Sequence, residues 1–253
     1  FQAYTSTFLS VTKLRESFDE ALKFTDIKGL VVGTRPDCLS RAVLETWGEY
    51  SQKTYVAVEL GVQSFFDDQL MFLRRGHTAQ QSIDAISKIK AAVPKMDLGV
   101  HLIFGIPGET DKTIIQTAQI INALPVDHVK LHNLHVLKNT PLADLYASGA
   151  FTPLDLETYT KRVILFLQYL RPDIAIQRTV AVASRWDELI APEWTKFKMK
   201  NSQFILDQMT LNGAYQGQFF TKCEPTHLQA KPSLHRLGTE THWQNPADAS
   251  PAR

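Results

Sequence analysis

The sequence predicts an α/β fold built from parallel βαβ units. Three observations carry this. Short β-branched runs end at glycine. Amphipathic helical spacing fills the gaps between them. The 253 residues, 44% of them hydrophobic, suffice for one sizeable core at a length common among single-domain α/β barrels. Strands and helices alternating in this way give a parallel sheet with right-handed crossovers.

Taken in order, residues 11–24 place Leu14, Phe18, Ala21 and Leu22 on one helical face. Residues 28–33 are short, β-branched and bounded by glycine, the pattern of a buried parallel strand. Ser40 can cap the next helix. A second strand covers 55–61, with Val56, Val58 and Leu60 on one face. Thr78 and Gln81 make a capping box for a helix ending near Val93. The third strand spans 98–105, and Thr110 with Asp111 starts a helix carrying Ile114, Ile115, Ala118 and Ile121. Residues 127–137 read as a fourth strand, Val129, Leu131, Asn133, His135 and Leu137 alternating with Lys130, His132, Leu134 and Val136. Thr152 and Pro153 supply a cap and a first-turn proline for a helix to Leu170. A weaker fifth strand runs over 174–180, and 194–211 is amphipathic. From about Thr221 apolar residues thin out, the composition of a loose tail. No repeat of solenoid spacing is present.

The net charge of +1 gives no global sign of a nucleic-acid or membrane-surface protein. No apolar run approaches the roughly 20 residues of a membrane span, and residues 1–5 lack the features of a signal peptide. The two cysteines, Cys38 and Cys223, form no disulfide framework and no paired metal ligands. The expected location is the cytoplasm. The chain opens without Met and in mid-pattern, as though sequence precedes it.

Candidate chemistry clusters at strand ends. Residues 102–110 join a strand, a Pro-Gly loop and a helix start, the usual ligand position at the carboxyl end of a parallel sheet. Gly105 and Gly108 remove side chains that would hold a flat ligand off the backbone. Glu59, in an apolar strand with Gln63 and Ser64 just beyond, must be paired or face a polar cavity. It belongs either to a polar cluster for a ribose or amino-acid head group, or to an ion pair with Arg35 or Lys130. Arg35 can grip a carboxylate or phosphate, or pair with Asp37, which would cap the following helix. Arg74, Arg75 and His77 suit a helix C-terminus. On a strand, His128 and His132 share a face and His135 points away, which leaves a zinc site without a third ligand. His101 and His132 line the polar side of a barrel. Residues 196–200 are a solvated basic face rather than an RNA contact.

These segments, in this order, resemble the radical S-adenosylmethionine (SAM) enzymes, in particular the bacterial YhcC-type family related to the catalytic subunit of Elongator. The resemblance runs from Phe1 to about Leu211. It is carried by residues 1–5, 33–37, 59–64, 75–77, 102–110, 130–132, 135–143 and 176–178. It implies a partial (βα)6 TIM-like barrel over 1–180, incomplete at its N-terminus, then a helical extension over 181–220 and a flexible tail over 221–253. It further implies SAM and a [4Fe–4S] cluster as cofactors, with flavodoxin or ferredoxin as electron donor. By carry-over, Ile103, Phe104 and Gly105 flank the adenine, Glu59 and Gln63 sit near the SAM ribose or amino acid, and Val136 and Leu137 close the far side. Arg35, His101, Lys130, His132 and Arg178 are the substrate candidates, with RNA among the candidate substrates. His101 stands where the family often has glycine, and Gly108 where many members are acidic, with Glu109 one place later. The family holds its cluster through three cysteines after the first strand, and no Cys-x-x-Cys is present. No metal ligands are therefore expected in this chain. Residues 1–5 align with the end of the second barrel strand, which places the cluster cysteines upstream of Phe1. The rival expectations are a degenerate barrel that binds SAM or a partner without redox chemistry, an Elongator-like tRNA-modifying enzyme, and a cluster-free barrel using Glu59, Lys130 and His132 for acid–base chemistry.

Overall fold

The computed structural model describes residues 1, 7, 10–183 and 185–221. In chain order the main elements are α1 (Val11–Leu22), β1 (Gly29–Thr34), α2 (Arg41–Ser51), β2 (Tyr55–Gln63), α3 (Asp67–Phe72), α4 (Ala79–Ala92), β3 (Asp97–Phe104) and α5 (Asp111–Asn122). There follow β4 (His128–Asn133), β5 (Val136–Leu137), α6 (Pro141–Ala147), α7 (Leu156–Tyr169), β6 (Ala175–Arg178), β7 (Leu189–Ala191) and α8 (Lys198–Leu211). Five strands form one parallel sheet in the order β1-β2-β3-β4-β6. A helix packed between successive strands is what a parallel sheet requires. The backbone of Phe1 lies beside β1 as a strand would: its amino group donates to Val31 O at 2.8 Å, and Gly33 N–H donates to its carbonyl at 2.9 Å. Residues 2–5 lie outside the described residues.

The core lies between one face of the sheet and the helices. Val32, Val58, Leu60, Val100 and Val129 are fully buried there, against Phe18, Trp47, Ile86, Ile121, Val163 and Phe166. Local chemistry sets the helix starts. The Ser40 hydroxyl accepts from Val43 N–H, and Thr78 and Thr110 each close a capping box, with Gln81 and Thr113. Ser40, not Asp37, is therefore the cap of α2.

Four expectations change. The single strand over 127–137 is two: β4 ends at Asn133, Leu134 N–H turns back to Phe104 O at 3.0 Å, and β5 pairs antiparallel with β7. Alternation cannot reveal this break, because the residues across it keep the same polarity pattern. The helix expected at Pro153 starts three residues later, where the Asp155 carboxylate accepts from Thr158 N–H at 2.6 Å. The first-turn proline is Pro141, behind Thr140. The helix over 194–211 is a 3₁₀ turn at Glu193–Lys196 followed by α8. The expected extension after residue 180 packs into the same unit as the sheet: Ile205 belongs to the main core, and Phe219 N–H donates to Gln168 O. The tail over 221–253 lies, apart from Thr221, outside the described residues. No helix among the described residues is long and apolar enough to cross a membrane.

Candidate functional site

Parallel register brings same-face residues of neighbouring strands into rows. On the face turned away from the helices, one row runs Gly33, Glu59, Gly99, His128, Ala175. The next contains His101, Lys130 and Arg178, and a third pairs Ile103 with His132. The residues singled out from sequence on β2, β3, β4 and β6 therefore meet on one polar face.

Glu59 is its centre. Its side chain is 3% exposed; Oε2 accepts from His101 Nε2 at 3.0 Å, and Oε1 accepts from the Lys130 ammonium. Burial alone would raise the Glu59 carboxyl, but the hydrogen bonds and charges of His101 and Lys130 outweigh it and bring it down to about 2. Of the two roles open for Glu59, an ion pair with Lys130 is present, and it faces the polar side of the sheet. Below it, the His128 ring lies flat over Gly99: a Cβ at that glycine would stand 2.0 Å from His128 Nε2. His128 Nδ1 donates to Asp97 Oδ1 at 2.8 Å, and the Tyr55 hydroxyl donates to the other oxygen of Asp97. This pair opens onto a cleft of about 560 Å³ at the amino ends of the strands, lined also by Lys90, Lys95 and Asp127.

At the carboxyl ends, His132 and His135 stand with ring centroids 6.0 Å apart. Strand parity separates them, but His135 lies past the end of β4, so parity does not apply. Asn133 fixes the corner: its Oδ1 accepts from Ala181 N–H at 3.0 Å and its Nδ2 donates to His135 Nε2 at 2.7 Å. Burial, reinforced by the Arg178 guanidinium, lowers His132 to about 3, and burial lowers His135 to about 4. Both imidazoles are neutral at physiological pH. Arg178 Nε donates to Leu131 O at 3.3 Å, and its guanidinium is pushed down by burial.

The edge over residues 102–110 is held from behind. Gly105 adopts φ +96°, and its N–H donates to Glu109 Oε2 at 2.5 Å; Arg162 Nη1 donates to the same oxygen at 2.8 Å. Burial raises the Glu109 carboxyl despite these partners. Phe104 O is taken by Leu134 N–H. The edge therefore offers no free backbone donor at Gly105, and the Leu154 and Leu134 side chains cover that glycine. Gln63, at φ +69° after an irregularity in the β2–β3 pairing, stands across from it. Val136 and Leu137 lie on β5, beside Leu134 and Phe151.

Arg35 pairs with Asp37: its Nε and Nη2 donate to the carboxylate at 2.9 and 2.5 Å. Arg75 and His77 do more than complement a helix end. Arg75 Nη2 donates to Gly61 O at 3.0 Å and His77 Nε2 to Val62 O at 3.2 Å, fixing the chain where β2 ends. Sequence reasoning missed the Glu109–Arg162 pair, Asp97 and Asn133. The signal for Asp97 was a carboxylate at the first position of a strand; a partner 53 residues away left no signal for Glu109.

Two family models cover most of the described chain: the Radical SAM superfamily over residues 7–121 and the Radical_SAM C-terminal domain over 126–210. The uncharacterized protein MJ0486 of Methanocaldococcus jannaschii is 34% identical over 221 residues, 87% of this chain and 68% of that protein. Protein YhcC of Escherichia coli (strain K12) is 35% identical over 197 residues, 77% of this chain and 62% of that protein. This chain thus spans about two thirds of the length of these relatives. The archaeal Elp3 of Methanocaldococcus infernus superposes with a TM-score of 0.62 at 20% identity, over 74% of this chain and 43% of that one, a likeness of fold. The chain belongs to the radical SAM superfamily.

Proposed function

We propose that this chain binds SAM along the edge formed by Gln63, Ile103, Phe104, Gly105, Val136 and Leu137, as the SAM-holding part of a radical SAM enzyme. The observation that carries the reading is a left-handed residue at the carboxyl end of β2, Gln63, whose amide has no hydrogen-bond partner among the described residues. A non-glycine residue held at positive φ costs of order 1–3 kcal/mol and is retained where the surroundings demand it. These groups fit a nucleoside: a flat purine against the half-buried Ile103 and Leu137, and polar ribose atoms toward the Gln63 amide. SAM would supply hydrogen-atom abstraction only with one electron from a reductant outside this chain; the residues here would bind and orient it. Glu59, through His101 and Lys130, keeps a charged, hydrogen-bonded network beneath it, and neutral His132 can take or give a hydrogen bond to a substrate.

A [4Fe–4S] cluster does not fit the cysteines present. It needs three thiolates, one on each of three irons with the fourth left open, whereas the sequence has two cysteines. Cys38 lies beside Asp37, and burial with that carboxylate raises its thiol. No step is derived through the cluster.

Calorimetric titration of the 253-residue protein with SAM tests the proposal. Saturable binding is expected, with a loss of tenfold or more in Gln63→Gly. That variant keeps the fold, because glycine accepts φ +69° more readily than glutamine. Absence of binding up to millimolar SAM, or unchanged affinity in Gln63→Gly, overturns the proposal.

A further inference from the structure

We infer that Arg178, with Lys130 and His132 around it, forms an oxyanion subsite that receives a carboxylate or phosphoryl group of the substrate. The inference rests on reading the polar face as the ligand-binding side, and it names the class of group that face takes.

Burial leaves the Arg178 guanidinium without a contact ion pair among the described residues, although the Glu59 carboxylate acts on it at longer range. Arg178 Nη2 is shielded from solvent and has no hydrogen-bond partner, and no carboxylate lies within salt-bridge distance of the guanidinium among the described residues. A guanidinium stays protonated in proteins and carries five donors. Removing such a group from water without pairing it costs free energy that packing does not return. Every other carboxylate near this face has its own partners: Glu59 holds Lys130 and His101, and Asp97, at the opposite end of the strands, holds Tyr55 and His128. Glu109 is bound by Arg162.

The neighbours strengthen the case. The cation discourages a second positive charge beside it, and both His132 and His135 are held neutral. Neither neutralises the Arg178 charge, and His132 can donate a hydrogen bond, whereas His135 is held by Asn133 and Ala181. Lys130 is the register partner of Arg178 across β4 and β6, and its ammonium is held by Glu59. A planar fork flanked by an ammonium and a neutral imidazole is a donor set for a carboxylate or phosphoryl oxygen. It offers nothing to a cation and little to an apolar group.

Unfolding midpoints of the wild type and of Arg178→Gln test the inference at pH 7 and matched ionic strength, in chloride, in inorganic phosphate and in acetate. The wild-type midpoint rises saturably with at least one oxyanion, and a response to phosphate alone or acetate alone assigns the phosphoryl or the carboxylate class. Arg178→Gln is at least as stable as the wild type in chloride, since a buried unpaired charge has been removed, and its oxyanion response is lost. A variant that is destabilised in chloride and still responds identifies Arg178 as a structural cation and overturns the inference. A wild type that responds to neither anion does so as well. SAM titration of the same variant separates the two readings. Unchanged SAM affinity leaves the anion to the substrate. A parallel loss assigns it to SAM's own carboxylate, and the substrate inference fails. Oxyanion response without any SAM binding sinks the SAM proposal alone.

Discussion

The two faces of the sheet are made from alternate residues of the same strands. Toward the helices stand Val58, Leu60, Val100 and Val129; one residue along, toward the other side, stand Glu59, His101 and Lys130. The first set is held by non-directional burial, roughly 25 cal/mol for each Å² of apolar surface removed from water, and tolerates exchange of one hydrophobe for another of similar volume. The second set depends on partners at fixed distances. Each loss there leaves a charge or a donor stranded. Both sides contribute to stability, one through burial and the other through paired charges, and the proposed ligand recognition belongs to the second.

The largest way to break this contrast is on the helix side. Phe166, fully buried and edge-on to Phe104 at 5.4 Å, should cost about 3–5 kcal/mol as Phe166→Ala in denaturant unfolding. Any SAM affinity should persist in the fraction that stays folded. Acidification probes the other face. The Glu59 carboxyl falls to about 2 from an ordinary 4.5, so its contribution is fully present above pH 4.5 and is lost as the pH drops toward 2. That linkage is on the order of 3 kcal/mol. The stability gap between wild type and Glu59→Gln should therefore shrink from pH 6 to pH 3; a gap that stays constant would remove the electrostatic account.

His132 acts in the same sense but over a higher pH range, because burial rather than pairing sets its value. Its folded value of about 3 lies below the unfolded 6.5, so the unfolded chain gains a proton first and stability falls as pH drops below 6.5. Near pH 5 this amounts to roughly 2 kcal/mol, and His132→Gln should flatten the wild-type slope between pH 7 and 5. Gly99→Ala should cost about 1–3 kcal/mol, because its Cβ would meet the His128 ring. It should also displace the ring from Asp97, seen as a shift of the His128 nitrogen resonances. The smallest effect is a cap: Thr110→Ala, at the start of α5, about 1 kcal/mol without change on the polar face.

Much of the helix-covered face was legible because its signals are local. β-branched runs ending at glycine mark β1, β2 and β3, and cap residues lie three positions from the N–H they satisfy. The fold family was legible from motif order. On the polar face, sequence supplied the residues but not their pairing. Glu59 and Lys130 are 71 positions apart, and only the parallel register brings them together. His135 was assigned to the wrong side because β4 stops at Asn133, a break set by the Asn133 bonds to Ala181 and His135. For Arg35, one of the two readings open from sequence, the pairing with Asp37, is present.

The placement of SAM on the polar face is tested most directly by mapping amide and imidazole resonance shifts of the labelled 253-residue protein as SAM is added. The account predicts shifts concentrated at Gln63, Gly105, Val136 and the His132 ring, with Tyr55, Lys95 and Asp97 at the opposite strand ends unmoved. Shifts confined to that opposite cleft, or none at saturating SAM, would contradict it.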